Sequence, residues 1–358
     1  MNTANQNMNL AEENEEFDHV TVHHYLRTQI EVIPDESLNV TRFSEGMSNL
    51  TYLLQCGEWE AVLRRPPSGP LPPKAHNMKR ESELLLKLHP VFPYVPKPYV
   101  FCEDESIIGV PFYVMERKKG LVFDKDFPAG KTFSGEECRQ ISYLAVDKLV
   151  DLHNVNIKKA GLEQFGRPDK FMDRQVHGWI KRYNLCKTED IPAFERLAKW
   201  LSDHIPTSKE SVLIHNDYKL NNMLINNNLK SVEGIVDWEL ATIADPLFDL
   251  GTTLGYWVQS DDPDSIKEGL QSVTVKPGFI SREDIIERYA KKTNRDMGNL
   301  GYYLIFSFFR YAIAMQQMHY RWKLGTTNDS RFAALNVTTK VFMDYANEYL
   351  EKKTYLFK

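Results

Sequence analysis

Over residues 38–65 the chain alternates, imperfectly, between apolar and polar positions. LNVTRF, LTYLLQC and EAVLRR are apolar-rich runs separated by the polar segments SEGMSN and GEW. A period near two is that of pleated strands, so three strands joined by turns are predicted. Residues 66–73 then hold five prolines in eight positions, which fixes φ, removes ladder donors and predicts an extended loop. Between 76 and 88 the period lengthens, and Met78, Leu84, Leu85 and Leu88 fall on one helical face. Pro90, Pro93, Pro96 and Pro98 read as an irregular crossing, after which IIGVPFYVMER (107–117) resumes as strands. The first third is thus a small, mostly antiparallel sheet carrying one helix.

After Gly120 helical spacing dominates. Ser134 and Glu137 form a capping-box pattern ahead of Ile141, Leu144, Ala145, Leu149 and Leu152, which share one face of a helix ending near His153. Further helices are predicted at about 171–186, 192–204, 264–271, 282–291, 297–322 and 330–350, with strand-like runs only at 211–225 and 231–240. The fold class this predicts is α+β, with two unequal halves.

Composition narrows the partners. The 358 residues carry 44 basic and 49 acidic side chains, a formal net charge of −5, which argues against a nucleic-acid or anionic-membrane surface. The cysteines at 56, 102, 138 and 186 lack zinc-ribbon spacing and read as reduced thiols. Residues 1–18 are polar and acidic, without the apolar core of a secretion signal, and read as a disordered tail. The apolar stretch 300–318 is broken by Arg310 and the Gln316-Gln317 pair, so a buried helix is expected there and not a membrane span. A cytoplasmic protein is the expectation.

The candidate chemistry sits in HNDYKLNN (215–222), where an apolar strand end runs into a polar turn that places Asp217 and Asn222 five apart. Fifteen residues after Asn222, a second apolar run delivers Asp237. Phosphoryl transfer uses such a set: one carboxylate orients the acceptor hydroxyl and takes its proton, while a second carboxylate and an amide oxygen hold magnesium on the phosphates. A polar turn rich in Asn and Asp is the plain alternative.

HNDYKLNN followed by IVDWE resembles the catalytic loop and metal-binding segment of the aminoglycoside phosphotransferase/choline kinase group, small-molecule relatives of the protein kinases. VLRRPPSGPLPPKAH, FYVMER, DWELATIADPLFDLG and FSFFRYA extend the likeness to the kinase-like domain that occurs alone or fused to acyl-CoA dehydrogenases, over about residues 25–350. The resemblance implies a bilobal, protein-kinase-like fold. Residues 19–116 would be a β-rich nucleotide-binding lobe and 117–358 a helical catalytic and substrate lobe. ATP and Mg2+ would be the cofactors, and a small-molecule hydroxyl the acceptor.

Residue by residue, the resemblance implies that Asp217 is the catalytic base, that Asn222 and Asp237 are magnesium ligands, and that His215 buttresses the loop. Arg64 would take the place of the usual phosphate-binding lysine and Glu81 would be its ion-pair partner, with Arg65 and Glu83 as rival registers. Gly46 and Ser48 would lie over the phosphates, and Met115 and Glu116 would form the adenine hinge. Asp245 and Asp249 are expected as helix caps. Asn216 stands where the group often has glycine, which a positive φ would explain.

Seven residues separate Asp237 from Asp245, too few for the activation segment on which a protein kinase seats a peptide. The acceptor itself stays open. Fusion to acyl-CoA dehydrogenases points to a hydroxyacyl-CoA or a related metabolite. An aminoglycoside or choline-type acceptor would use acidic groups such as Glu189, Asp190, Asp261, Asp262 and Asp264, which otherwise read as solvated loop charges. Lys181, Arg182, Arg310 and Arg321 are the basic candidates. A catalytically weak pseudokinase or nucleotide-binding module, and a metal-dependent phosphohydrolase, are the other classes.

Overall fold

The computed structural model describes residues 17–43, 49–67, 77–327 and 329–353. The chain opens with α1 (His19–Gln29), β1 (Asn39–Arg42), β2 (Leu50–Cys56), β3 (Trp59–Arg65), α2 (Met78–Leu88), β4 (Pro98–Cys102), α3 (Glu105–Ile108) and β5 (Phe112–Glu116). These strands form one antiparallel sheet in the order β1-β2-β3-β5-β4.

Both faces of this sheet are covered, which is why strict polar–apolar alternation failed along it. Tyr52, Leu54, Ala61, Leu63, Phe112 and Val114 point to one side, where Val22 and Leu26 of α1 pack on them. Leu53, Val62, Tyr113 and Met115 point to the other, where Leu84, Leu85 and Leu88 of α2 meet them. The pleat therefore sends Arg64 to the α2 side with Val62. Its neighbour Arg65 goes to the opposite side, about 6 Å from the rings of Phe17 and Tyr52.

The helical part comprises α4 (Gly135–His153), α5 (Phe171–Cys186), α6 (Pro192–Asp203), β6 (Val212–Ile214), β7 (Met223–Ile225), β8 (Val232–Ile235), β9 (Thr242–Ala244), α7 (Pro246–Tyr256), α8 (Asp264–Gly269), α9 (Arg282–Thr293), α10 (Leu300–Lys323) and α11 (Leu335–Lys353). The Ser134–Glu137 capping box opens α4. Helix α10 runs through the apolar core of this part, and no helix among the described residues is long and apolar enough to cross a membrane. All four cysteines are free and buried.

Several expectations need correction. The sequence around Pro98 forms β4, an edge strand with an irregular register between Pro98 and Val100, as an edge or bulge proline allows. Within 107–117 only Phe112–Glu116 is a strand, because residues 105–108 make a helical turn capped by Asp104. Helix α1 was not anticipated, since HVTVHHYLRTQ is rich in β-branched residues and histidine and buries only Val22 and Leu26. Of the supposed tail 1–18, residues 1–16 lie outside the described residues. Asp18, however, caps α1 and the Phe17 ring packs on Tyr52.

The acidic run at 261–264 is not uniformly solvated either. Asp262 is buried, takes two hydrogen bonds from Arg282 at 2.8 and 2.9 Å, and accepts from the Tyr345 hydroxyl at 2.7 Å. Removing this carboxylate strands a buried guanidinium, so Asp262→Ala is expected to lower stability by about 3–5 kcal/mol. Combining it with Arg282→Met should recover most of the loss. Urea denaturation of the single and double variants checks both outcomes.

Candidate active site

The two polar segments singled out in the sequence face each other, and the strand pairing shows how. β6 and β7 do not pair as a hairpin: β6 pairs with β9, and β7 with β8. The segment 215–222 therefore leaves one ribbon and enters the other, and 236–241 returns between the same two ribbons. Backbone bonds stitch the segments together. Val236 N donates to Asn222 O (2.9 Å), and Asn216 Nδ2 donates to Leu240 O (3.0 Å).

His215 completes the stitching. It is fully buried, its Nε2 donates to Val236 O (2.9 Å), and its Nδ1 accepts from the Asp217 amide (3.3 Å). Both bonds require the neutral tautomer with the proton on Nε2.

Asp245 caps α7 as expected, accepting from Leu247 N at 2.8 Å. Asp249 does not act as a cap. It lies one turn into α7, has no solvent exposure, and accepts from the backbone amides of His215 and Asn216, both at 2.7 Å. Burial opposes its charge, but the His153 side chain and those amides hold its carboxyl below the usual range. His153 in turn lies 2.6 Å from the Tyr289 hydroxyl, which ties the loop to α9. The loop bends sharply at Asn216, whose φ is +67°. Arg310 braces this residue from α10, donating to Asn216 Oδ1 (2.6 Å) and Asn216 O (2.9 Å).

Within that frame Asp217 is mostly buried. Its Oδ2 accepts from Asn222 Nδ2 at 3.1 Å and lies 3.0 Å from Lys219 Nζ. Asn222 Nδ2 also donates to Asp217 O (2.9 Å), so the amide is oriented with both donor contacts on Asp217, and its Oδ1 accepts from no group among the described residues. Burial works against the Lys219 ammonium, yet Tyr256 and Asp217 beside it raise its proton affinity above the ordinary lysine value. Lys219 also sits 4.9 Å from the centre of the Tyr256 ring.

Asp237 adopts φ +69° and keeps about a third of its side chain exposed (36%). Arg64, buried on β3, reaches it: Arg64 Nη2 is 2.6 Å from Asp237 Oδ1 and 3.2 Å from Glu239 Oε2, while Arg64 Nη1 is 2.8 Å from Glu81 Oε1. The structure thus pairs Arg64 with Glu81. Arg65 faces away and Glu83 is exposed. Burial opposes ionisation of Asp237, and the Arg64 charge outweighs it, leaving the carboxyl below its usual range.

The sequence reading missed Lys219, Glu239 and Asn49, whose side-chain amide bonds Glu239. The D-x-K spacing and the E of DWE were the available signals. Arg80 was also unforeseen: it reaches from α2 to Ala241 O (2.6 Å) and so fastens the sheet lobe to the 236–241 segment.

Met115 and Glu116 end β5, where the chain leaves the sheet, and the Glu116 amide donates to Lys97 O (2.7 Å). Gly46 and Ser48 lie outside the described residues. A cavity of about 760 Å³ lies elsewhere, between α6, α10 and the end of α11, lined by Arg196, Trp200, Tyr302 and Tyr349. It contains none of the residues above.

The donor set can be tested against a metal. No group of three or more His, Cys, Asp or Glu among the described residues could hold one. Asn222 Oδ1 and the Asp237 carboxylate, brought together by the Val236–Asn222 bond, supply two hard oxygens. That suits magnesium, which keeps several waters and takes its other ligands from phosphate.

The pattern of the family described as "Phosphotransferase enzyme family" matches residues 39–277. Human acyl-CoA dehydrogenase family member 11 is 33% identical over 329 residues, 90% of this chain and 42% of that protein. The chain spans less than half the length of the curated relatives it matches. Among solved structures, a provisionally named aminoglycoside phosphotransferase of Ralstonia eutropha is 28% identical with a TM-score of 0.79, covering 94% of this chain and 99% of that one. A thermostable mutant aminoglycoside phosphotransferase in ternary complex with ADP and hygromycin B superposes with a TM-score of 0.58. It is 13% identical and covers 92% of this chain and 98% of that one, a likeness of fold. The fold is the α+β, bilobal one that the sequence suggested.

Glu81 yields a pH prediction. Burial pushes its carboxyl up to about 7 against the opposing pull of Arg64. In the unfolded chain the group ionises near 4.5. Between those values the folded state binds the extra proton, so this contribution is complete below pH 4.5 and fades as pH rises through 7. Urea midpoints measured across that range should fall with rising pH, and Glu81→Gln should flatten that component.

Proposed function

The chain belongs to the phosphotransferase enzyme family, and we propose that it moves the γ-phosphoryl group of ATP, with magnesium, to a hydroxyl of a small molecule. The observation that supports this reading is the Val236–Asn222 backbone bond, which joins the turn bearing Asp217 and Asn222 to the one bearing Asp237, where Arg64 pairs with both Glu81 and Asp237.

The roles follow from what each group can do. Asp217 Oδ2 is held by Asn222 and Lys219, which fixes the carboxylate for an acceptor hydroxyl and lets it take that proton as the oxygen attacks. Lys219 Nζ, 3.0 Å from Asp217 Oδ2, would also face the charge that develops on the phosphate. Arg64, positioned by Glu81, would present its guanidinium to the phosphates. Asn222 and Asp237 would hold magnesium, which would supply charge neutralisation to the phosphate oxygens. The end of β5 at Met115 and Glu116 is the proposed adenine edge, and residues 19–116 and 117–358 are the proposed nucleotide and substrate lobes. The names of the curated relatives favour a hydroxyacyl thioester as acceptor.

Asp217→Ala should lower turnover roughly 10²–10⁴-fold with little change in Mg–AMP-PNP affinity. Asp237→Ala should abolish the metal-dependent part of nucleotide binding. Phosphate transfer scored by mass, beside calorimetric titration of the nucleotide, separates the two. An Asp217→Ala protein with full transfer activity removes the base assignment.

A further inference from the structure

We infer that Arg80 of α2 is a positioning residue for the turn that carries Asp237: by holding the carbonyls that follow this carboxylate, it sets how strongly a divalent ion adds to nucleotide binding. The inference rests on the phosphotransfer reading, because the ion is the one proposed for Asn222 and Asp237. Residues 236–241 lie between β8 and β9, outside both ladders, so the carbonyls of the turn need other donors. Side chains supply them. Arg80 Nη2 donates to Ala241 O (2.6 Å) and Arg80 Nη1 to Glu239 O (3.4 Å), while Asn216 Nδ2 donates to Leu240 O between them (3.0 Å). Three successive carbonyls are thus held, two from α2 and one from the loop that bears Asp217.

The guanidinium is itself placed. Arg80 Cζ lies 4.1 Å from the centre of the Phe165 ring, a cation–π contact made by the segment between α4 and α5. That segment is pressed against β9, since a Cβ on Gly166 would stand 2.7 Å from Ile243 N. Burial works against the charge of Arg80, and it forms no ion pair among the described residues. What the residue supplies is a planar fork that spans carbonyls two residues apart, which a lysine cannot match.

Its place on α2 gives this clasp a consequence. Arg80 adjoins Glu81, whose carboxylate holds Arg64, and Arg64 in turn reaches Asp237 and Glu239. Among the described residues α2 therefore makes polar contact with the turn in two ways, directly to its carbonyls and through Arg64 to its carboxylates. On the proposed reading, phosphates and metal take over the second set. The Arg80 bonds go to backbone carbonyls and do not enter that exchange, so they keep Asp237 in register with Asn222 and Arg64 while it occurs.

Two measurements test this. The first is hydrogen–deuterium exchange on the nucleotide-free protein, read at the amides of Val236 and Ala241, which are bonded to Asn222 O and Trp238 O. Arg80→Leu should speed exchange there about tenfold and leave the amides of α10 unchanged. Arg80→Lys, with the charge but not the fork, should fall between. Unchanged exchange in Arg80→Leu overturns the clasp, and so does loosening that reaches α10 to the same degree, because it marks a general structural role.

The second is calorimetric titration with AMP-PNP, with and without Mg2+. Arg80→Leu should cut the gain in affinity that magnesium confers by about tenfold and leave the metal-free affinity unchanged. Phe165→Leu should act in the same direction and add nothing in the double variant. An undiminished magnesium gain, or equal weakening with and without the ion, overturns the positioning role. Local loosening in the exchange arm with no magnesium gain in the wild-type protein upholds the Arg80 clasp and counts against phosphotransfer itself.

Discussion

The site depends on one buried carboxylate. Asp249, without solvent exposure, accepts the amides of His215 and Asn216 and is itself held by His153. A charge in the core is tolerable only when its oxygens are satisfied, and here the satisfying donors are the backbone of the turn that carries Asp217. The loop is therefore fixed by the cost of leaving Asp249 unpaired, and α7 sets where Asp217 points. The neighbouring turn is fixed by the same logic on a smaller scale, since His215 and the Val236–Asn222 bond tie Asp237 to Asn222. Asn216 and Asp237, both at positive φ, mark where the backbone is bent to make the two turns meet.

Charge in the cleft forms a second constraint. Arg64 faces three carboxylates, those of Glu81, Asp237 and Glu239, and it is the cation on β3 that the pleat turns toward α2. Glu81 holds Nη1, while Asp237 and Glu239 share Nη2. On the proposed reading, nucleotide phosphates would replace Asp237 and Glu239 at Arg64, and a metal would replace Arg64 at Asp237.

Much of this was legible in the sequence because it follows from local pattern. The capping box at Ser134, the helical faces of α2 and α4, and the Asp–Asn spacing of the loop are short-range signals. The Arg64–Glu81 pair needed only strand parity and a helix on the right face. What the sequence hid was non-local. Pairing of β6 with β9 and of β7 with β8 cannot be seen in strands of three or four residues, so the turn at 215–222 gave no sign that its flanking strands belong to different ribbons. Asp249 looked like a cap because its partners are 33 and 34 residues away in sequence. Helix α1 lacked an amphipathic pattern, and Lys219 and Glu239 looked like ordinary surface charges until the fold brought them to Asp217 and Arg64.

The most direct measurement is a crystal structure of the protein with Mn–AMP-PNP, using manganese anomalous scattering to locate the ion. The account predicts one ion ligated by Asn222 Oδ1 and the Asp237 carboxylate at about 2.1–2.2 Å, bridging to phosphate oxygens, with Arg64 released from Asp237 toward the nucleotide. A nucleotide bound in the cleft with its metal held by other residues, or with Asn222 and Asp237 left uncoordinated, would contradict it.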